Sequence, residues 1–253
     1  MPFYLKKKVL DAAIFSAILY SCETWLTNNV QTITKHYMSA VKLLLGVRNT
    51  TTNILCLLEI GYPELDSLIM KRRLSFISKF KTNSSGDEPL AIVLKMCQQA
   101  NTRAYRFLEN TRNYIGDPVL NNISELKIWC MRQQESSSKC AIYIKMNPEL
   151  VVHDVYENNT QYTPDHLRVS FSRFRLSSHN LRVELGRWTR TPREERRCTC
   201  ELAHVQDESH VTFRCPLTSS IRTEFNIDHD NWTLLFEHTN ICKIAHEILT
   251  NFT

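Results

Sequence analysis

With 253 residues, 43% of them apolar and 23% charged, the chain is long enough to bury a real hydrophobic core and too apolar to be wholly disordered. Only 5 glycines and 8 prolines leave little material for tight hairpin turns, which argues for helices and against an all-β architecture. Nine cysteines, an odd number with no secretory leader pattern ahead of them, argue against a disulfide framework and for an intracellular chain, in nucleus or cytoplasm, whose cysteines are thiols or metal ligands.

In chain order, Pro2 suits a first helical turn, and Val9, Ala12, Ala13, Ser16, Leu19 and Tyr20 recur at helical spacing, predicting a buried first helix. Asp11 and Glu23 make the same stretch too charged for a membrane span. A second helix is expected from a cap at Asn29, with Ile33, Tyr37, Ala40, Val41 and Leu44 on one face and Gly46 just past its end. Thr52 starts a short third, stopped at Gly61-Tyr62-Pro63. A fourth runs from Glu64 to about Phe80, its stripe formed by Leu65, Leu68, Ile69, Phe76, Ile77 and Phe80. The clusters Lys6-Lys7-Lys8 and Lys71-Arg72-Arg73 read as solvated helix ends.

The polar run "KTNSSGDEP", Lys81 to Pro89, is the best candidate linker. Helices are then expected over Pro89–Asn113, Ser124–Gln134 and Ser138–Met146, followed by a loop from His153 to Pro164. Two short closing helices fall near Trp232–Phe236 and Ile241–Asn251. The reading is mainly α, divided into a helical block over 1–80, a helical connector over 81–162 and an arginine-rich C-terminal domain over 163–253.

Net charge is only +5, but it is unevenly spread. Residues 1–80 hold 10 Lys+Arg against 5 Asp+Glu, and residues 166–197 hold 9 arginines against 3 glutamates. The remainder carries 12 basic and 18 acidic residues, so the positive charge is local and points to a polyanionic partner. Within the second tract Leu167, Phe171 and Phe174 fall at i, i+4 and i+7, which predicts an inward apolar stripe with the arginines facing out. Arg187, Arg190, Arg193, Arg196 and Arg197, with Trp188 among them, are the candidate nucleic-acid contacts. Guanidinium forks bind phosphate, and aromatic rings stack on any base.

Directly after them comes Cys198-x-Cys200, then His210 and Cys215. Tetrahedral zinc takes four such donors as two close pairs, so one zinc per chain is expected on Cys198, Cys200, His210 and Cys215. The first pair has a one-residue spacer, tighter than the common two to four, and His204 is a spare donor. The competing reading on spacing alone is an accidental cluster in a cysteine-rich chain. The other six cysteines, Cys22, Cys56, Cys97, Cys130, Cys140 and Cys242, read as small buried hydrophobes.

The residues around this cluster carry a resemblance. "HLRVSFSRFRLSSHNLRVELGRW", then "EERRCTCE" and "VQDESHVTFRCPLTSSIR", closely resemble the C-terminal segment of LINE-type (non-LTR) retrotransposon polyproteins. A Cys/Cys/His/Cys knuckle there has an acidic residue before its histidine and ends in Cys-Pro; Asp207-Glu208 and Cys215-Pro216 fill those places here. "KKKVLDAAIFSAILYSCETWL" and "KLLLGVRNTTTNILCLLEIGYPEL" are similar to the helical thumb that follows the reverse-transcriptase palm. The resemblance implies a thumb-like bundle, a helical connector and a zinc knuckle that binds element RNA or target DNA. It departs from the family at Glu201-Leu202, where a glycine often follows the second cysteine.

The catalytic half of such an enzyme is not visible. No aromatic-x-Asp-Asp motif occurs, and a two-metal polymerase site needs paired aspartates. Asp228-His229-Asp230 lacks flanking apolar strands, and Asp117 with Glu125-Leu126-Lys127 imitates a nuclease spacing that arises easily by chance. No catalytic residue is assigned. The expectation is therefore a C-terminal fragment of a LINE-type reverse transcriptase, inactive alone, that binds RNA or DNA and no membrane. A zinc-stabilised protein-interaction module, or a non-functional remnant of a retroelement, remains the alternative.

Overall fold

The computed structural model of the chain describes residues 1–25, 30–82, 89–113, 122–157, 163–227 and 230–252. Regular structure among them is helical, apart from one isolated antiparallel bridge between Arg197 and Val205. The expected caps and carboxylates at Asn29, Asp117, Asp228 and His229, and residues 83–88 of the expected linker, lie outside the described residues.

Helix α1 (Phe3–Val9) runs without interruption through a π-helical turn, Leu10–Phe15, into α2 (Ser16–Ile18). This helix exists as expected but buries a different face: Phe3, Leu10, Phe15 and Leu19 are inside, while Val9, Ala12, Ala13, Ser16 and Tyr20 are exposed. The π turn is the reason. Its i+5 closure brings Leu10 and Phe15 into line, which a uniform α period would not do. Phe15 then packs on Tyr37 and Tyr62, at ring distances of 4.6 and 5.5 Å.

Helix α3 (Gln31–Leu45) buries Tyr37 and Val41 and half-buries Ile33, Ala40 and Leu44, as its spacing predicts. Gly46 ends it in the left-handed region (φ 73°), with the Val47 N–H returning to the Lys42 carbonyl at 3.1 Å. A side chain there would also meet Val169 at 2.6 Å, so only glycine fits. Helices α4 (Asn53–Ile60) and α5 (Leu65–Thr82) follow where expected, separated at Gly61. Arg72 and Arg73 are not a solvated end. Arg72 donates to the Leu19 carbonyl, while buried Arg73 donates to those of Cys22 and Trp25 and lies 4.6 Å over Phe107.

The expected single helix over 89–113 is two, α6 (Pro89–Gln99) and α7 (Arg103–Asn113). Asn101 adopts φ 44°, the Thr102 N–H closes on the Cys97 carbonyl, and the Thr102 hydroxyl accepts from Tyr105 N–H. Asparagine tolerates the left-handed region, so a stop and a start fit into three residues. Helices α8 (Asn122–Arg132), α9 (Ser138–Met146) and α10 (Asp154–Glu157) follow, α9 capped by Ser137 Oγ accepting from Cys140 N–H.

Helix α11 (Asp165–Arg175) carries Arg168, Arg173 and Arg175 of the arginine tract, α12 (Arg182–Trp188) carries Arg182 and Arg187, and the other four follow α12. The chain closes with α13 (Ser219–Glu224), α14 (Trp232–Glu237) and α15 (Ile241–Thr250). The most extensive helix pairing in the molecule is between α11 and α15. One continuous apolar cluster extends from Phe3 to Leu249. At its centre lies a polar group: Glu59 (0% exposed) accepts from the hydroxyls of Tyr143 and Tyr156 at 2.8 and 2.9 Å and sits 3.1 Å from the Arg175 guanidinium (1% exposed).

This overturns the expectation that the arginines of α11 all face water. Phe171 and Phe174 are buried as expected, but so are Arg168 and Arg175. Arg175 lies 5.3 Å from the rings of Phe171 and Phe236, and Arg168 lies 4.6 Å over Phe3. A buried guanidinium needs a counter-charge and π faces, and Glu59 with these rings provides both. No helix among the described residues is long and apolar enough to cross a membrane.

Candidate metal centre

The segment after α12 folds back on itself around Gln206. Its N–H donates to the Arg196 carbonyl (2.8 Å), and its own carbonyl accepts from Val183 N–H (3.1 Å). Its side-chain oxygen accepts from Arg182 N–H (2.8 Å), and its amide nitrogen lies 3.7 Å from Cys198 Sγ. One glutamine thus fastens residues 196–206 to the start of α12 and touches a thiol. The fold-back turns at Ala203, which takes the left-handed conformation (φ 47°), so the bend falls two residues beyond the missing glycine. The Cys198 N–H to His204 carbonyl bond, 2.7 Å, closes the loop.

The second donor pair is made by a single wide turn. Asp207 Oδ1 accepts from His210 N–H (3.0 Å), and the Cys215 N–H reaches the His210 carbonyl five residues back (2.8 Å). That i+5 closure brings His210 and Cys215 together, where an ordinary α turn would have matched His210 with Arg214. Pro216 then opens a short 3-10 turn, Pro216–Thr218, leading into α13, and Arg222 of that helix donates to the Cys215 carbonyl at 2.8 Å.

The four donors converge. Cys198, Cys200, His210 and Cys215 are all buried, and their ligand atoms lie within 4.8 Å of one another; this is the one such cluster among the described residues. Cys198 Sγ is 3.7 Å from Cys215 Sγ, and Cys200 Sγ is 3.3 Å from His210 Nε2. A tetrahedron with metal–sulfur bonds of about 2.3 Å has edges of about 3.8 Å, so both close pairs sit near ligand spacing. The group can hold a metal ion. His204 lies outside it, with an exposed side chain whose ring is 5.8 Å from that of His210.

Protonation favours the same conclusion. Burial opposes ionisation of Cys198, but hydrogen bonds from the Cys200 N–H, Gln206, Cys200 and Cys215 outweigh it and lower the thiol below its usual value. Burial pushes Cys215 up to about 12. Burial, with the His204 charge, also lowers His210, keeping the imidazole neutral as a metal ligand must be. A divalent cation between the sulfurs supplies the positive charge that a second thiolate requires. His210 Nδ1 is buried without a partner, so the outer hydrogen bond that usually orients a metal-bound histidine is not made within the described residues.

The candidate nucleic-acid residues surround this centre on unequal terms. Trp188 is 57% exposed, and Arg190, at φ 55° just beyond α12, is exposed with no partner among the described residues. Arg187 is held by Glu184 (2.8 Å) and Ser138 (2.6 Å), and Arg193 by Asp207 (2.8 Å). The exposed Arg197 side chain donates to the Glu194 carbonyl at 3.2 Å. Arg196 is spent on the fold: its guanidinium donates to the carbonyls of Thr191 and Val183. Its side chain crosses Gly186 where a Cβ would lie 2.4 Å from Nε.

No family model matches the chain, and no curated protein and no solved structure matches it.

Sequence reasoning missed Gln206, Arg222 and the buried cluster of Glu208, His179 and Ser177. Glu208 accepts from Ser177 at 2.9 Å and pairs with His179 at 2.9 Å, anchoring the metal-side turn to the end of α11. No spacing rule links positions some thirty residues apart. The sequence marked Asp207-Glu208 only as acidic residues ahead of His210, and nothing in it pointed to His179 or Ser177 as their partners.

Proposed function

We propose that this chain is a zinc-stabilised nucleic-acid-binding module corresponding to the C-terminal part of a LINE-type reverse transcriptase, acting on element RNA or target DNA in nucleus or cytoplasm. The observation that carries the reading is a buried three-thiol, one-imidazole cluster that follows in the chain on the exposed Trp188 and Arg190. Thiolate and imidazole donors at tetrahedral spacing suit zinc over harder cations, and four protein donors leave no open position, which makes the ion structural. Its role is to hold the 196–215 fold-back in place, and through Gln206 and Arg196 the start of α12. Trp188 offers a ring for base stacking, and Arg190, Arg193, Arg187 and Arg197 offer guanidinium groups for phosphates, with Arg196 behind them as support. Sequence-tolerant stacking and phosphate contact fit single-stranded or structured RNA, where bases are open.

The test is a salt series. Binding of a fluorescent single-stranded RNA should weaken with log salt, at a slope of about −0.7 per phosphate contact. Arg190→Gln with Arg193→Gln should flatten that slope by up to about two contacts. Trp188→Ala should cost on the order of 1–3 kcal/mol with little change of slope, and its exposure means the variant still folds. A slope equal to wild type in the folded double variant overturns the reading. Exposed Leu185, one helical turn before Trp188 on α12, favours one competitor, a protein-interaction face. Under that competitor, nucleic-acid binding is weak and indifferent to these arginines.

A further inference from the structure

Next to the metal centre, a cleft of about 400 Å³ opens between α9, α12 and the 193–209 segment. Three carboxylates line it, and each is already engaged: Glu184 by Lys139 and Arg187, Asp207 by Arg193 and the His210 N–H, Glu208 by His179 and Ser177. Two further cations line the cleft with no carboxylate opposite them. Lys145, exposed on α9, has no partner among the described residues, and the Arg196 guanidinium bonds only to backbone carbonyls. The floor is apolar, from Ala141, Ile142 and Val183.

We propose that this cleft is a terminal-phosphate site, which takes the 5′- or 3′-phosphate of a single strand on Lys145, with the carbonyl-bound Arg196 adding positive charge from behind and the end base against Ile142. Two uncompensated positive charges match a phosphate monoester, which carries close to two negative charges at neutral pH, better than an internal diester with one. The proposal rests on the nucleic-acid reading above, and names the part of the ligand that reading leaves open.

The experiment compares short oligonucleotides of one sequence bearing a 5′-phosphate, a 3′-phosphate or only hydroxyl ends, measured by anisotropy with the full zinc-loaded chain. Wild type should bind one phosphorylated form on the order of tenfold tighter than the hydroxyl form, as a charge-assisted contact would give. Lys145→Gln should erase that preference while leaving affinity for the hydroxyl form unchanged. Equal affinity for all three in wild type, or a preference that survives in Lys145→Gln, overturns the proposal. If no oligonucleotide binds at all, the nucleic-acid reading fails and inorganic phosphate decides the cleft on its own. Saturable shifts of the Ser138 and Ser209 amide resonances, lost in Lys145→Gln, would uphold an anion site there, and their absence would end it.

Discussion

Removing the metal should loosen the fold-back and little else, by an amount that can be estimated. Among the described residues Cys198, Cys200 and Cys215 form a small apolar cluster of their own, which meets the main core through Phe252. Two edges of the donor set already stand near ligand spacing, 3.7 and 3.3 Å, and all four donor atoms lie within 4.8 Å of one another, so an ion would tie the fold-back together at four points. An ion bound at a thousand times its dissociation constant stabilises the closed form by about 4 kcal/mol, a factor of about a thousand in opening. Hydrogen exchange with and without chelator reads this directly. The Cys198 N–H, bonded to the His204 carbonyl, and the Cys215 N–H, bonded to the His210 carbonyl, should lose up to about three orders of magnitude of protection. The Leu176 N–H, bonded to the Ser172 carbonyl inside the main core, should not change. Cys200→Ser should reproduce the chelated pattern with metal present, whereas His204→Ala should not. Exchange at Cys198 and Cys215 that ignores both chelator and Cys200→Ser refutes the assignment.

Other consequences concern the scaffold. Glu59→Leu strands a buried guanidinium and removes the acceptor of the Tyr143 hydroxyl, so urea unfolding should show a loss of about 3–5 kcal/mol, and adding Arg175→Met should recover most of it. Burial lowers His153, whose Nε2 donates to the Phe236 carbonyl while Nδ1 accepts from the Val155 N–H, so a second proton has no acceptor to meet. Because the folded value lies below the unfolded value of 6.5, stability should fall as pH drops through and below 6.5, and His153→Gln should flatten that limb of a melting-temperature profile. Gly186→Ala should push Arg196 off the carbonyls of Thr191 and Val183, costing about 1–3 kcal/mol by thermal melt, and the cost should shrink on an Arg196→Ala background.

Much of this molecule is legible along the chain because its determinants are local. Helical spacing with Gly46 and Gly61 placed α3, α4 and α5, and four soft donors within eighteen residues marked out the Cys/His cluster that the fold brings together. What stayed hidden was decided by distant partners. The buried face of the first helix depends on a π turn that brings Phe15 onto Tyr37 and Tyr62. The fate of the arginines cannot be read from their spacing either. Arg175 is buried because Glu59, 116 positions earlier by number, stands opposite it, and Arg196 is committed because Gly186 lets it lie flat. Arg190 stays in water because nothing folds over it. A chain pattern reports period and donor type, since both act over a few residues; whether a cation faces solvent or a buried counter-charge is a matter of which surfaces meet, and only the tertiary structure brings them together.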